Sequence, residues 1–265
     1  MRFTTIASGS SGNCTYIGSE NTHILVDAGI SKKRIEEGLG ELDLSLRDIN
    51  AIFVTHEHTD HIAAIRTILK KHVIPVYATG GTIEGIRESD KKGEIDFSEF
   101  VRVYADQPVT VGDMIINPMR ISHDALEPCG YRIFCGGKKI GVATDLGCYD
   151  EYTVRSLEGS DALLLEANHD VRMLQTGPYP YRLKSRILGD KGHLSNDKSC
   201  ELLLRLLHDG MKGVFLGHLS KENNMPELAY ETVRVGIEMA DNEYHGNDFN
   251  IMVAKRSALS PVIEF

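Results

Sequence analysis

The sequence predicts an α/β (α+β) domain in which two mixed sheets pack face to face with helices outside. Three observations predict it. Strand-like hydrophobic runs fall in two blocks, each interleaved with helical segments. No linker-like stretch separates the blocks, so residues 1–265 read as a single domain. The composition, 42% hydrophobic and 25% charged, is that of an ordinary globular chain, and nothing is repeated or low in complexity.

The first block opens with strands over Arg2 to Ala7, Cys14 to Gly18 and His23 to Asp27. A tight polar loop, Ser8-Gly9-Ser10-Ser11-Gly12-Asn13, joins the first two. A helix is expected over Ser31 to Leu39, with Ser31 as its cap. The hydrophobic run Ala51 to Val54 is the next strand. Helical periodicity covers His61 to His72 and stops before Pro75. Val76 to Ala78 reads as a short strand, and Thr82 to Asp90 as a helix.

The second block has strands over Val101 to Ala105, Met114 to Ile121, Cys129 to Cys135 and Lys139 to Thr144. Gly136-Gly137 between the last two is a hairpin signal. Then come a helix over Glu151 to Leu157 and a strand over Ala162 to Glu166. Asp170 to Gly192 is the least regular stretch, interrupted by Pro178 and Pro180. A capped helix over Ser195 to His208, a strand over Val214 to Gly217, a helix over Pro226 to Met239 and a strand over Asn250 to Ala254 complete the chain.

Between strand and helix lies the run Thr55-His56-Glu57-His58-Thr59-Asp60-His61. Neutral imidazole and carboxylate are natural ligands of zinc-like divalent ions. In a loop, His56 and His58 can point to one side while Asp60 and His61, at the helix start, point to another. One segment can therefore serve two adjacent metals. Other ligand types recur where strands end: Asp27, His123, Asp145 and His218 each follow a hydrophobic strand. Together the set reads as the centre of a two-metal hydrolase.

The global numbers bound this reading. The net charge of -9 does not advertise a nucleic-acid binder, although bound divalent ions would offset part of it. The basic stretch Arg182-Leu183-Lys184-Ser185-Arg186, with Lys191 nearby, reads either as a solvated helix face or as a grip on a nucleic-acid backbone. Five scattered cysteines without a CxxC pair fit a reducing cytoplasm. Cys148, three residues after Asp145, stands as an alternative ligand to its reading as a small buried side chain. No apolar run approaches the ~20 residues of a membrane span, and the start reads directly as strand rather than as a signal peptide.

The ordered motifs, Asp27, His56-x-His58-x-Asp60-His61, His123, Asp145 and His218, resemble those of the metallo-β-lactamase superfamily. The resemblance implies an αββα sandwich with a cleft at one edge. It implies that His56, His58 and His123 hold one divalent ion (zinc, manganese or iron), that Asp60, His61 and His218 hold the second, that Asp145 bridges them, and that Asp27 orients the loop. The runs Ala7 to Asn13, Glu166-Ala167-Asn168-His169-Asp170, Gly177 to Pro180, Gly192-His193-Leu194-Ser195-Asn196 and Gly217 to Asn224 are similar to the YycJ (WalJ) group of bacterial proteins, associated with 5′-to-3′ exonuclease action on DNA. The chain lacks room between Asp145 and His193 for the inserted domain of RNase J-type nucleases, and shows no counterpart of the tRNA-gripping arm of RNase Z. Redox di-iron relatives carry Glu at the second histidine of the loop; here it is His58, which favours hydrolysis.

The expected reaction is phosphodiester cleavage by a hydroxide shared between two ions roughly 3.5–4 Å apart, with the water pKa lowered towards ~7. His193 is the first candidate for the acid that protonates the leaving oxygen, and His169 the second; each also reads as a structural histidine. Ser8, Ser10, Ser11 and Asn13 form either a phosphate cradle or a plain hairpin, and Asn223 and Asn224 invite the same two readings. Tyr179 and Tyr181 stack on bases or pack at the cleft mouth. His23, His72, His208 and His245 lack motif context. Two other readings share the site: a hydrolase of a small cyclic nucleotide, thioester or lactone, and a regulatory nucleic-acid- or protein-binding module that holds its metals structurally.

Overall fold

Side chains alternate along these strands, and that alternation builds the layers. The structure is a computed structural model that describes residues 1–265. The first sheet takes β1 (Arg2–Ala7), β2 (Cys14–Gly18), β3 (His23–Val26), β4 (Ala51–Phe53), β5 (Val76–Thr79) and β6 (Phe100–Val103) side by side in chain order. The second takes β7 (Val109–Val111), β8 (Met114–Arg120), β9 (Cys129–Cys135), β10 (Lys138–Ala143), β11 (Ala162–Glu166), β12 (Gly213–Gly217) and β13 (Ile251–Val253). A final strand, β14 (Ile263–Glu264), pairs antiparallel with β1. Both sheets are mixed: β3 to β6 are parallel, as are β10 to β13, and the remaining pairs are antiparallel.

Ile24, Val26 and Phe53 face the second sheet, where they meet Val142, Leu164 and Phe215. Leu25 and Ile52, one residue out of phase, face helices instead. The same switch occurs on β11, where Leu164 points between the sheets and Leu163 and Leu165 point outward. Strands covered on both faces read as continuous hydrophobic runs. Two edge-to-face aromatic pairs cross the interface, Phe3 with Phe215 and Phe53 with Tyr131, each at 5.4 Å between ring centroids.

The helices cover the outer faces. α1 (Lys32–Gly40), α2 (Thr59–Ile62), α3 (Ile65–Leu69) and α4 (Gly80–Ser89) belong to the first half. The second half has α5 (Glu151–Leu157), α6 (Val171–Thr176), α7 (Tyr181–Leu188), α8 (Asn196–Leu204) and α9 (Pro226–Met239). Ile35 and Leu39 of α1 pack with Ile65, Ile68 and Ile86 under the first sheet. Leu202, Leu203, Val233 and Ile237 do the same under the second. The layer order is helix, sheet, sheet, helix, as expected. The expected caps at Ser31 and Ser195 accept from Arg34 N and Lys198 N. The Gly136-Gly137 turn has positive φ at both residues.

Four features depart from the sequence-based expectation. The strand read over Val101 to Ala105 with the second block is β6, which pairs in parallel with β5 and so belongs to the first sheet. The expected helix from His61 to His72 is broken into α2 and α3. Asn13 N and Ala28 N take the carbonyls of Asp60 and His61 at 2.8 Å each, and Ala64 N donates to Ala28 O instead of continuing the helix. Tertiary partners thus replace the rungs that would have joined the two pieces. The stretch from Asp170 to Gly192 is helical: Asp170 caps α6 by accepting from Met173 N, and Pro180 sits at the start of α7. Its prolines frame two short helices rather than interrupting a coil. The strands β7 and β14, three and two residues long, have too little length to show a periodicity.

Candidate metal centre

The strand ends named from the sequence converge at one edge of the sandwich. β3 and β4 run parallel, and β10 and β12 flank β11 in parallel, so their C-terminal ends lie together within each sheet. Asp27, Asp145 and His218 leave their strands in the left-handed region, at φ 65°, 58° and 55°. Such turns are costly for residues other than glycine, though asparagine and aspartate tolerate them best. The strands β4 and β9 are also clamped across the interface. Tyr131 Oη donates to Val54 O at 2.7 Å, and Cys129 N donates to Thr55 O at 2.9 Å, fixing the backbone that delivers His56.

The imidazoles and carboxylates approach one another through specific atoms. His56 Nε2 lies 3.0 Å from His58 Nδ1, and the His58 and His123 rings are 5.1 Å apart. His61 Nε2 lies 3.6 Å from Asp60 Oδ2 and 3.3 Å from Asp145 Oδ2. His218 Nε2 lies 3.5 Å from Asp60 Oδ2, and His123 Nε2 lies 3.7 Å from Asp145 Oδ1. Donor atoms of His56, His58 and His123 fall within 4.8 Å of one another, as do those of Asp60, His61 and His218, and those of His56, His61 and Asp145. All seven residues expected as ligands therefore meet in one cluster.

The far nitrogens are held from behind. His61 Nδ1 donates to Asp27 Oδ2 at 2.8 Å, and Asp27 Oδ1 accepts from Thr55 N at 2.8 Å. His123 Nδ1 donates to Gly192 O at 3.1 Å. Such bonds select a tautomer and aim the other nitrogen. Gly29 makes the close packing possible: a Cβ there would lie 1.6 Å from Asp60 O.

These residues fit divalent cations. His123 Nε2, His218 Nε2 and Asp145 Oδ2 are buried and lack any hydrogen-bond partner within the protein, a costly state for polar atoms unless an ion engages them. Burial and the neighbouring imidazoles hold His56 well below the usual histidine range, as a neutral ligand must be. Burial alone would also lower His61 and His218, but the carboxylates around them outweigh it and push both up. The pocket thus demands positive charge, which divalent ions satisfy.

One carboxylate beside the centre, Glu166, stands in a motif run of the sequence but is given no role there. Glu166, fully buried at the end of β11, accepts from His193 Nδ1 and from His218 Nδ1 through the same Oε1, at 2.8 Å each. Its Oε2 accepts from Leu146 N and Leu194 N. The available signal was the pattern used for Asp27 and Asp145, a carboxylate closing a hydrophobic strand. His193 joins the cluster: donor atoms of Asp145, Glu166, His193 and His218 also fall within 4.8 Å of one another, and the His193 side chain is 15% exposed with its Nδ1 3.7 Å from Asp145 Oδ1. His169 is outside the groups of converging donors, buried next door with both ring nitrogens unpartnered.

Several expected contacts are turned elsewhere. Ser8 Oγ accepts from His218 N, and Asn13 Oδ1 accepts from Gly9 N while its Nδ2 lies 3.1 Å from His61 Nε2. Ser10 and Ser11 alone in that loop are exposed. Asn223 is fully buried with its Nδ2 against Ser220, and Asn224 pairs with Asn196 and donates to Ala167 O. Asn224 thereby ties separate segments together, whereas the Asn223 amide bonds only within its own loop and its Oδ1 has no partner in the protein. Of the basic stretch, Lys184 donates to Gln175 O and Arg186 pairs with Asp124, the neighbour of His123; Arg182 is exposed. Tyr181 projects at 85% exposure rather than packing at the mouth, and Cys148 is exposed and outside the converging groups.

The family model described as the beta-lactamase superfamily domain matches residues 22–212. The chain is 38% identical over 264 residues to the exodeoxyribonuclease WalJ of Streptococcus pneumoniae, covering 100% of this chain and 98% of that protein. It is 36% identical over 238 residues to the exodeoxyribonuclease YycJ of Bacillus anthracis, covering 90% and 89%. Among solved structures, the metallo-beta-lactamase fold protein YhfI of Bacillus subtilis aligns with a TM-score of 0.71 at 17% identity, over 98% of this chain and 99% of that one. That last likeness is one of fold.

Proposed function

Because the chain belongs to the beta-lactamase superfamily, we propose that it is a two-metal exodeoxyribonuclease, a single domain over residues 1–265 that acts on DNA from the 5′ end in the cytoplasm. One observation carries the reading: a complete, converging set of imidazole and carboxylate donors, in a chain similar end to end to named exodeoxyribonucleases. No helix is long and apolar enough to cross a membrane.

His56, His58 and His123 would hold one ion and Asp60, His61 and His218 the other, with Asp145 between them. Two divalent ions, zinc, manganese or iron, supply Lewis acidity that lowers the pKa of water and offsets phosphate charge. The protein does the rest. Asp27 and Thr55 keep His61 oriented. Glu166 holds His193 Nδ1, which leaves Nε2 to carry a proton to the leaving oxygen. His193 therefore takes the acid role ahead of His169.

The test is cleavage of 5′-labelled and 3′-labelled single-stranded and duplex DNA and RNA. The protein is loaded separately with zinc and manganese, and a His61→Ala control is purified identically. Cleavage of DNA that is lost in the control, with mononucleotides released from the 5′ label first, is the expected result. Hydrolysis of bis-p-nitrophenyl phosphate without DNA cleavage would move the reading to a small cyclic nucleotide, thioester or lactone. Full metal occupancy without turnover of any ester would leave a binding module.

A further inference from the structure

Ser8 Oγ accepts from His218 N at 2.9 Å, and Ser8 also lines a cavity of about 380 Å³. The residues that follow His218 form one side of this cavity, through Ser220 and Lys221. The segment that follows β13 forms another, through Lys255 and Arg256, and α9 begins at its edge with Pro226. The contact between Ser8 and His218 therefore joins the cavity to the metal centre.

The cavity wall holds three cations and no carboxylate, in a chain of net charge -9. Four other cavities of comparable size each have an aspartate or glutamate in the wall. Lys221 and Lys255 are exposed. Lys255 also borders a groove that holds Glu227 and Glu231, and it bonds to neither. Arg256 Nη2 donates to Leu219 O at 2.7 Å, while its Nη1 is buried without a partner. Burial works against the guanidinium charge, a cost that an anion beside it would offset. Ser8 and Ser220 are buried, and their hydroxyl oxygens accept from His218 N and Asn223 N. Each hydroxyl hydrogen is left to donate. Asn224, the other polar side chain in the wall, is spent on Ala167 O and Asn196. The side chains with unspent capacity are thus donors, a set that fits phosphate oxygens.

We propose that this cavity holds a backbone phosphate of the DNA strand, separate from the phosphate at the metals. Lys221, Lys255 and Arg256 neutralise it, and Ser8 and Ser220 donate to its oxygens. The assignment rests on the nuclease reading above. The link through His218 sets the cavity against the metal centre, and the two exposed lysines leave its rim open to a continuing polyanion. A free inorganic anion would meet the same donors without that continuity. The site anchors a strand without reading its sequence, because phosphate contacts position and carry no base information.

The test is fluorescence anisotropy of the metal-loaded protein with a short labelled thymidine oligonucleotide whose phosphorothioate linkages resist cleavage. The double variant Lys221→Gln/Lys255→Gln should bind it roughly tenfold more weakly, and the slope of log K against log salt should fall by about 0.7, the value for one neutralised phosphate of a single strand. Lys91→Gln/Lys92→Gln removes the same charge from exposed positions outside the cavity and should leave both readings at wild type. Equal effects of the two double variants would reduce the result to net charge and overturn the assignment. Calorimetric titration with inorganic phosphate separates the two sources of the anion. Phosphate binding lost in Lys221→Gln/Lys255→Gln, with oligonucleotide affinity unchanged, would give the cavity to a free anion and overturn the strand assignment. The cleavage assay reads the other question. Site-dependent binding by a protein that cuts no DNA sinks the nuclease reading and leaves the cavity assignment standing; DNA cleavage with wild-type KM in Lys221→Gln/Lys255→Gln does the reverse.

Discussion

Glu166 Oε1 lies 2.8 Å from His193 Nδ1, and the carboxylate that makes this bond is fully buried at the end of β11. The same oxygen accepts from His218 Nδ1. One carboxylate thus orients an imidazole expected to face metal and the imidazole beside it. In Glu166→Gln, the amide keeps one acceptor oxygen and turns a donor group towards another donor. Turnover should fall roughly 10–100-fold, read as kcat on DNA with metal content measured in parallel. A variant with wild-type kcat would remove Glu166 from the mechanism.

His193→Ala should cost about 10²–10⁴-fold in DNA turnover, the usual worth of a positioned proton donor, with metal content unchanged. The loss should be much smaller on bis-p-nitrophenyl phosphate, because nitrophenolate leaves without a proton. Equal losses on both substrates would indicate a positioning role in place of proton donation.

Asp27→Asn keeps the side chain's shape and suits the left-handed backbone at φ 65°. It cannot accept at both oxygens from Thr55 and His61, as Asp27 does. Metal affinity should drop about 10–100-fold while the fold is retained. Competition with a chromogenic chelator measures the first, and circular dichroism the second.

Gly29→Ala would place a methyl group 1.6 Å from Asp60 O. The metal loop would have to shift, at a cost of about 3 kcal/mol, the upper end for overpacking. At about 2–4 °C per kcal/mol, Tm should fall by roughly 6–12 °C. A Tm within a degree or two of wild type would show that the loop yields easily.

Arg182 is exposed, whereas Lys184 and Arg186 are engaged by Gln175 O and Asp124. Arg182→Gln should weaken DNA binding and reduce the slope of log K against log salt by about 1. An unchanged slope across 50–300 mM salt, about the range over which such contacts lose strength, would place the strand elsewhere.

The sequence alone determined the layers and the ligand loop. Patterns that live within a few residues of each other are written locally: the alternation of Ile24, Leu25 and Val26, the cap at Ser195, and the crowding of His56, His58, Asp60 and His61. What tertiary structure decided depends on partners distant in the chain. Glu166 finds its histidines 27 and 52 residues away. The break between α2 and α3 is imposed by Asn13 and Ala28, whose amides claim carbonyls the helix would have used. Ser8 and Asn224 turn inward because a buried amide and a buried carbonyl await them there, and Lys184 and Arg186 are taken up by neighbours. A polar residue in a loop carries no local mark of the side it faces. That choice follows from which buried hydrogen-bonding groups the packed fold leaves to be satisfied.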